Sequence, residues 1–166
     1  MIRAATAFVL ALMLAGCGFQ LRSALSLPPD LGPVQVEGRG QYSPLADALS
    51  LSLQRAGATV VEGRGAGEDL ARLRILSERW ASTPISIDAR GRAQEYTLRY
   101  AVVFELVSAD GRDLVPQQAV ELARDYVQSP SNLTGADSER ELLTREMRRD
   151  MVASIVRRID GASRQP

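Results

Sequence analysis

The chain of 166 residues is long enough for one domain with a single hydrophobic core and too short for two such domains. Its 20 basic and 20 acidic residues balance, so the protein has no net charge that would attract nucleic acid. All of the basic residues are arginine. The absence of lysine and histidine excludes a Ser-His-Asp triad, a histidine-containing metal site and a P-loop.

The N-terminus has the pattern of a lipoprotein export signal. Arg3 precedes an apolar run over residues 4–15, which is shorter than the ~20 residues that a membrane-spanning helix needs. Leu14–Cys17 resembles a bacterial lipobox and contains the only cysteine in the sequence, although a chance cysteine beside an ordinary cleavage site is the alternative. We expect cleavage before Cys17 and its modification by S-diacylglycerol and N-acyl groups that anchor it to a membrane. Gly18, in place of aspartate, resembles the signal for sorting to the outer membrane.

A single folded domain is predicted behind this leader. The residues up to Pro33 are rich in proline, glycine and serine, as in an extended tether. The predicted divisions are a cleaved signal peptide at 1–16, a lipidated N-terminus and tether at 17–33, one α+β domain at 34–161 and a short polar tail at 162–166.

The domain is predicted to begin with a short strand and a helix. The strand covers Val34–Glu37 and leads into a turn. Ser43 is a suitable N-cap for the helix, and Pro44 suits its first position. The helix is expected to end near Gly57. Its apolar face is formed by Leu45, Leu49, Leu53 and Ala56.

The central part of the chain alternates between apolar and polar residues, which predicts β-strands. The strand Gln94–Val107 would span roughly 45 Å, so the hairpin that turns at Ala89–Arg92 is expected to project past the core. Pro116 is predicted at a strand start or at a sheet edge because it cannot donate to a ladder. The other predicted strands are Thr59–Glu62, which precedes a flexible glycine-rich turn at Gly63–Gly67, then Ala71–Trp80, a segment with Ile85 and Ile87, and Gln118–Tyr126.

The last element is predicted to be a long amphipathic helix of about 30 Å. Ser138 and Glu141 have the spacing of a capping box, which indicates its start, and Gly161 marks its end. Its apolar face is formed by Leu143, Met147, Met151, Ile155 and Ile159. The element order predicts an α+β fold, a two-layer sandwich with two helices packed on one face of a mostly antiparallel, mixed sheet of about four strands.

Two arginines are the strongest candidates for ligand binding. Arg90 and Arg92 lie at the predicted hairpin turn, where they could hold an anion or a lipid phosphate, although a solubilising turn accounts for them as well. Glu121 and Asp125 would lie about 13 Å apart on one strand face, which is too far for glycosidase chemistry. We predict no catalytic residue, no metal ligand and no enzymatic activity.

Four segments of the chain match a known family in order and spacing. They are CGFQLR at 17–22, EYTLRYAVVFEL at 95–106, VELARDY at 120–126 and the stretch at 132–159. Together they resemble the LptE family of lipopolysaccharide-assembly lipoproteins. The resemblance implies a sheet covered by two helices, seated one-to-one as a plug inside the outer-membrane β-barrel LptD. Such a pair takes part in lipopolysaccharide transport and in its insertion into the outer leaflet.

The resemblance also carries expectations about location and ligands. It implies a lipid-anchored protein of the outer membrane, on its periplasmic side and within the barrel lumen, with no cofactor apart from the covalent lipid on Cys17. It implies lipopolysaccharide binding through Arg90 and Arg92. Residues 128–138 contain no basic side chain, in contrast to the family pattern of a second basic region there. The rival hypothesis is a lipid-anchored envelope enzyme that acts on glycan or peptidoglycan.

Overall fold

A computed structural model of the protein describes residues 27–28, 31–40, 42–63, 69–87, 91, 93–127 and 133–163. A four-stranded sheet of order β1-β2-β3-β4 is covered on one face by two helices. Strands β1 and β2 are parallel, and the other neighbours are antiparallel, so the predicted α+β fold class is confirmed. The elements are β1 at Val34–Glu37, α1 at Pro44–Arg55, β2 at Ala71–Ile87, β3 at Ala93–Val107, β4 at Asp113–Val127 and α2 at Leu133–Ser163.

The first helix forms as its sequence predicts. The Ser43 hydroxyl accepts a hydrogen bond from the Ala46 amide at 3.2 Å, and Pro44 occupies the first turn, where no intrahelical donor is needed. Gly57 follows the helix with a φ of +94°, a left-handed conformation that glycine adopts without steric cost. The buried face of α1 consists of Leu45, Ala46, Leu49 and Leu53.

The predicted strand Thr59–Glu62 is wrong in extent, because it shrinks to a single bridge. Val34 donates to the Thr59 carbonyl at 2.9 Å and accepts from the Val61 amide at 2.9 Å. At Gly63 the chain takes a φ of +105°. The segment therefore pairs with β1 at Val34 alone and does not continue alongside the rest of the strand.

Strand β2 is longer than predicted, because Ala71–Trp80 and the segment around Ile85 form one continuous strand. Its register with β3 shifts at three points, between Ile75 and Ser77, between Pro84 and Ser86, and between Ser86 and Ile87. Pro84 lies within the strand opposite Tyr96. A proline is tolerated there because β1 pairs only with the first four residues of β2, and no other described strand pairs with the outer edge of β2 at that point.

Strand β4 forms the opposite margin of the sheet and starts at Asp113, five residues before the predicted start. Pro116 falls at a register shift on this edge strand, as the edge prediction required. Two arginines bond to backbone carbonyls of β4. Arg158 donates to the Ala119 carbonyl at 3.1 Å, and Arg124 donates to the Ala123 carbonyl at 3.0 Å.

Helix α2 starts before the predicted capping box. It begins at Leu133, so Ser138 lies inside the helix, and the predicted start at Ser138 is wrong. The Ser-x-x-Glu spacing is also that of an ordinary i,i+3 pair on an exposed helix face, which explains the error. The helix continues through Gly161, which keeps a negative φ, to Ser163. Its core positions are filled as predicted by Met147, Met151, Ile155 and Ile159, all at most 1% exposed.

The turn between β3 and β4 is held by a carboxylate. Asp110 accepts hydrogen bonds from the Ser108 hydroxyl, from the Arg112 amide at 3.2 Å and from the Arg112 guanidinium at 2.7 Å. These bonds, first that from Ser108, lower the pKa of Asp110 to about 2. The carboxylate is therefore ionised at neutral and mildly acidic pH and keeps its capacity to accept these bonds there.

Candidate functional site

The residues that carry the sequence-based site prediction lie outside the described residues. Cys17, the predicted lipid attachment site, and Arg90 and Arg92, the predicted lipopolysaccharide contacts, belong to the parts of the chain that the structure leaves undescribed. The described neighbour Gly91 has a φ of +75°, the left-handed conformation expected of a glycine in a tight turn.

The three long strands end together at the same side of the sheet. We call this region the distal end and define it as residues 81–87, 93–98 and 122–127. Ile87 lies opposite Ala93, and Glu95 lies opposite Val127, so the strand termini are in register. Three apolar side chains are exposed there, namely Ile85 at 53%, Ile87 at 68% and Val127 at 56%. Large apolar groups gathered at one exposed end are typical of a contact surface.

Aromatic side chains connect the strands of the distal end. The rings of Tyr96 and Tyr126 are stacked with centroids 5.5 Å apart. The hydroxyl groups of Tyr126 and Ser82 are 3.0 Å apart, which links β4 to β2 across the intervening strand. These contacts join the three strands beyond the part of the sheet that pairs with β1.

A polar cluster lies between the sheet and α2. The Trp80 and Tyr100 rings are stacked with centroids 3.8 Å apart, and the Tyr100 hydroxyl donates to the Glu78 carboxylate at 2.8 Å. Burial, followed by the neighbouring Glu78, raises the pKa of Tyr100 far above its ordinary value, while the nearby Arg148 acts in the opposite direction. Tyr100 is therefore a neutral donor that joins β2 and β3, and it is unsuited to act as a base.

The sequence pattern did not predict this cluster. Alternation counted from Ile75 places Glu78 on the open face of the sheet, but the bulge at Leu76 shifts the register and brings Glu78 opposite Val102 on the helix-covered face. The signal that could have revealed the shift is the position of Trp80. A large aromatic at that position is out of phase with the apolar residues Leu73 and Ile75.

The sheet face that no described helix covers carries paired charges. Arg99 bonds to Glu121 at 3.0 Å, and Thr97 donates to Asp125 at 2.6 Å. Arg74 forms an ion pair with Glu105 on the same face. The two carboxylates weighed for glycosidase chemistry are thus engaged by neighbouring strands, and each ion pair adds little to stability at such exposure.

The part of the chain that the structure describes has neither a metal-binding cluster nor a membrane-spanning helix. Within those residues there is no group of three or more carboxylate, cysteine or histidine side chains placed to hold a metal ion. None of the described helices has the length and apolarity required to cross a membrane.

Comparison with known proteins places the fold and the sequence in one group. A solution structure of lipoprotein B from Nitrosomonas europaea has a TM-score of 0.67 at 25% identity, covering 84% of this chain and 88% of that one. The crystal structure of rare lipoprotein B from Shewanella oneidensis has a TM-score of 0.64 at 23% identity, covering 76% and 92% of the two chains. The second likeness supports the fold alone.

Sequence relatives extend the comparison. The chain is 30% identical over 148 residues to the LPS-assembly lipoprotein LptE of Yersinia enterocolitica, which covers 89% of this chain and 70% of that protein. The same identity and coverage hold for the LPS-assembly lipoprotein LptE of Yersinia pestis. The family model LptE, described as lipopolysaccharide-assembly, matches residues 31–159. This chain therefore belongs to the LptE lipopolysaccharide-assembly family.

Proposed function

We propose that the protein is a lipid-anchored outer-membrane lipoprotein that plugs and helps to assemble the LptD β-barrel. In this role it takes part in the transport of lipopolysaccharide and in its insertion into the outer leaflet. The observation that carries the proposal is family membership over residues 31–159, together with relatives of 30% identity that are named LPS-assembly lipoproteins. The anchor is the covalent lipid on Cys17, and the proposed role requires no other cofactor.

The surface of the domain supports a role through contact. The outer face of the sheet is polar and part of its charge is paired within the protein, as in Arg99 with Glu121 and Arg74 with Glu105. The interior of an outer-membrane barrel is itself polar, so a plug with internally neutralised charges can enter without leaving unpaired charges buried. The same pairing disfavours the rival enzymatic role, because Glu121 is held by an arginine.

The distal end supports the proposed contact with lipopolysaccharide. Ile85, Ile87 and Val127 expose apolar surface there, and Arg90 and Arg92 follow Ile87 by three and five positions in the sequence. Lipopolysaccharide combines acyl chains with phosphate groups. Apolar side chains close in sequence to arginine forks match both parts of such a ligand.

Purification of the tagged, lipidated protein from detergent-solubilised outer membranes tests the proposal. We expect a large β-barrel to co-purify at a one-to-one ratio, because a plug and its barrel bury an extensive interface. A tagged lipoprotein of unrelated fold in the same membranes is the control. Recovery of the free monomer alone, or of barrel in equal amount with the control, would contradict the proposal.

Substitution of both Arg90 and Arg92 by alanine is expected to weaken lipopolysaccharide binding by about three- to tenfold, since two exposed charges are lost. The thermal midpoint should stay unchanged because the predicted turn contributes no side chain to the core. Binding is measured with purified lipopolysaccharide and the lipidated protein. The matched control is Arg145→Ala with Arg149→Ala, which removes the same charge from an exposed face of α2. Unaltered binding in the hairpin variant would remove these residues from the site.

A further inference from the structure

A groove lies between α1 and the outer edge of β1. Its volume is about 780 Å³. Its floor includes Val36 and Gly38, and one wall is the α1 face with Asp47, Leu51 and Gln54. Leu51 is 47% exposed, so the wall offers apolar as well as polar contacts. The groove is on the opposite side of β1 from the rest of the sheet.

The groove exists because the edge of β1 is only partly paired. Alternate residues of a strand direct their backbone groups to the same side, and Val34 uses its outer-edge groups to bond Thr59 and Val61. Val36, two residues further along β1, directs its N–H and C=O to the same outer edge. Among the described residues of the following segment, up to Gly63, none forms a backbone bond with Val36, and the Gly63 carbonyl accepts a hydrogen bond from the Gln35 side chain instead. The N–H and C=O of Val36 therefore face the groove with no backbone partner among the described residues.

The described residues that line the groove carry charge of one sign only. Glu37, Asp47 and Glu62 line it, and none of the described residues that line it is basic. Glu37 has a partial partner in Arg72, at 3.7 Å. Asp47 and Glu62 form no ion pair with another described residue. The negative charge favours an occupant with basic side chains. The open strand edge favours an occupant with an extended backbone.

We propose that this groove binds an extended, positively charged segment of a partner protein, which adds to the sheet as a strand beside β1. Backbone groups of the segment pair with those of Val36, as in other complexes formed by strand addition. Its lysine or arginine side chains meet Asp47 and Glu62, and an apolar side chain packs on Leu51. The site is remote from the distal end and does not depend on the barrel proposal.

Peptide binding to the lipidated, full mature chain in a nonionic detergent tests the inference. The probe is a fluorescein-labelled ten-residue peptide that alternates valine and lysine, and the readout is fluorescence anisotropy, with empty micelles as the blank. We expect saturable binding of this probe. A peptide that alternates valine and glutamate should bind at least about tenfold more weakly, because its charge repels the groove. Equal binding of the two peptides would overturn the proposal.

Two further arms locate the binding. The lysine peptide with every internal backbone amide N-methylated has no backbone donor on either edge, and we expect its affinity to fall about tenfold. In the protein, Asp47→Asn with Glu62→Gln should weaken the lysine peptide about three- to tenfold. The matched control is Glu139→Gln with Glu141→Gln, on the exposed start of α2, which should leave binding unchanged. Binding that is insensitive to N-methylation, or that falls equally in the control, would show nonspecific cation attraction and would refute the site.

Discussion

Replacing Ile155 by aspartate is expected to unfold the protein. The side chain is fully buried in the core between α2 and the sheet. An aspartate there must either bury a charge or take up a proton without a partner, and it also leaves a cavity. The expected loss is about 5 kcal/mol or more. A domain of this size has a total stability of about 5–15 kcal/mol, so the folded state would be nearly or wholly abolished.

The measurement is a far-ultraviolet circular-dichroism melt with size-exclusion chromatography of the same sample. Ala153→Asp is the matched control because residue 153 is exposed on the same helix, two positions away. It introduces the same charge, four residues before Arg157, where a weakly favourable ion pair is expected. A cooperative melt for the Ile155 variant near that of the wild type would show that this face of α2 is not core.

Truncation of Tyr100 is expected to have the second largest effect. Tyr100→Ala removes a fully buried ring that stacks on Trp80, and it should cost about 3–5 kcal/mol. Tyr100→Phe keeps the ring and removes only the hydroxyl group that donates to Glu78 at 2.8 Å. The carboxylate then loses a partner in a half-buried site, and the expected cost is about 1–3 kcal/mol.

Chemical denaturation of the two Tyr100 variants separates these contributions. The double variant Glu78→Gln with Tyr100→Phe is the informative addition, because a neutral amide in the same position suffers less from the lost donor. It should recover part of the stability that Tyr100→Phe loses. If Tyr100→Phe is as stable as the wild type, the hydroxyl bond contributes nothing, and the cluster is held by ring packing alone.

Much of the fold follows from local pattern. The spacing of Leu45, Leu49 and Leu53 predicts α1, and the Ser43–Pro44 pair predicts its first residue. Both agree with the structure because they depend on contacts within one turn of the helix. The same holds for the buried side of β3 and for the core positions of α2, where a strict period survives over many residues.

The errors arise where the outcome depends on distant residues. Thr59–Glu62 would form a strand only if it paired with several residues of β1. In the structure it forms a single bridge with β1, at Val34. The place of Glu78 depends on a bulge that only the pairing with β3 defines. The Ser138–Glu141 spacing is that of a capping box, but a helix starts there only if the residues before it are not helical. In the structure these preceding residues are helical, from Leu133 onward.

The site was predictable to a lesser degree. The family could be named from four segments, and the match over residues 31–159 confirms it. The roles of Cys17, Arg90 and Arg92 stay predictions, since these residues lie outside the described part of the chain. The groove beside β1 was not predicted at all, because it is produced by the absence of pairing that the sequence pattern favoured.

The two margins of the sheet differ, and this asymmetry limits how copies of the protein can associate. Along β4, guanidinium groups of Arg158 and Arg124 already occupy the carbonyls of Ala119 and Ala123, and Pro116 offers no donor. A neighbouring molecule that presents a strand to this side meets two acceptors that are already engaged. Addition of a further strand from another copy is thereby disfavoured at the β4 margin.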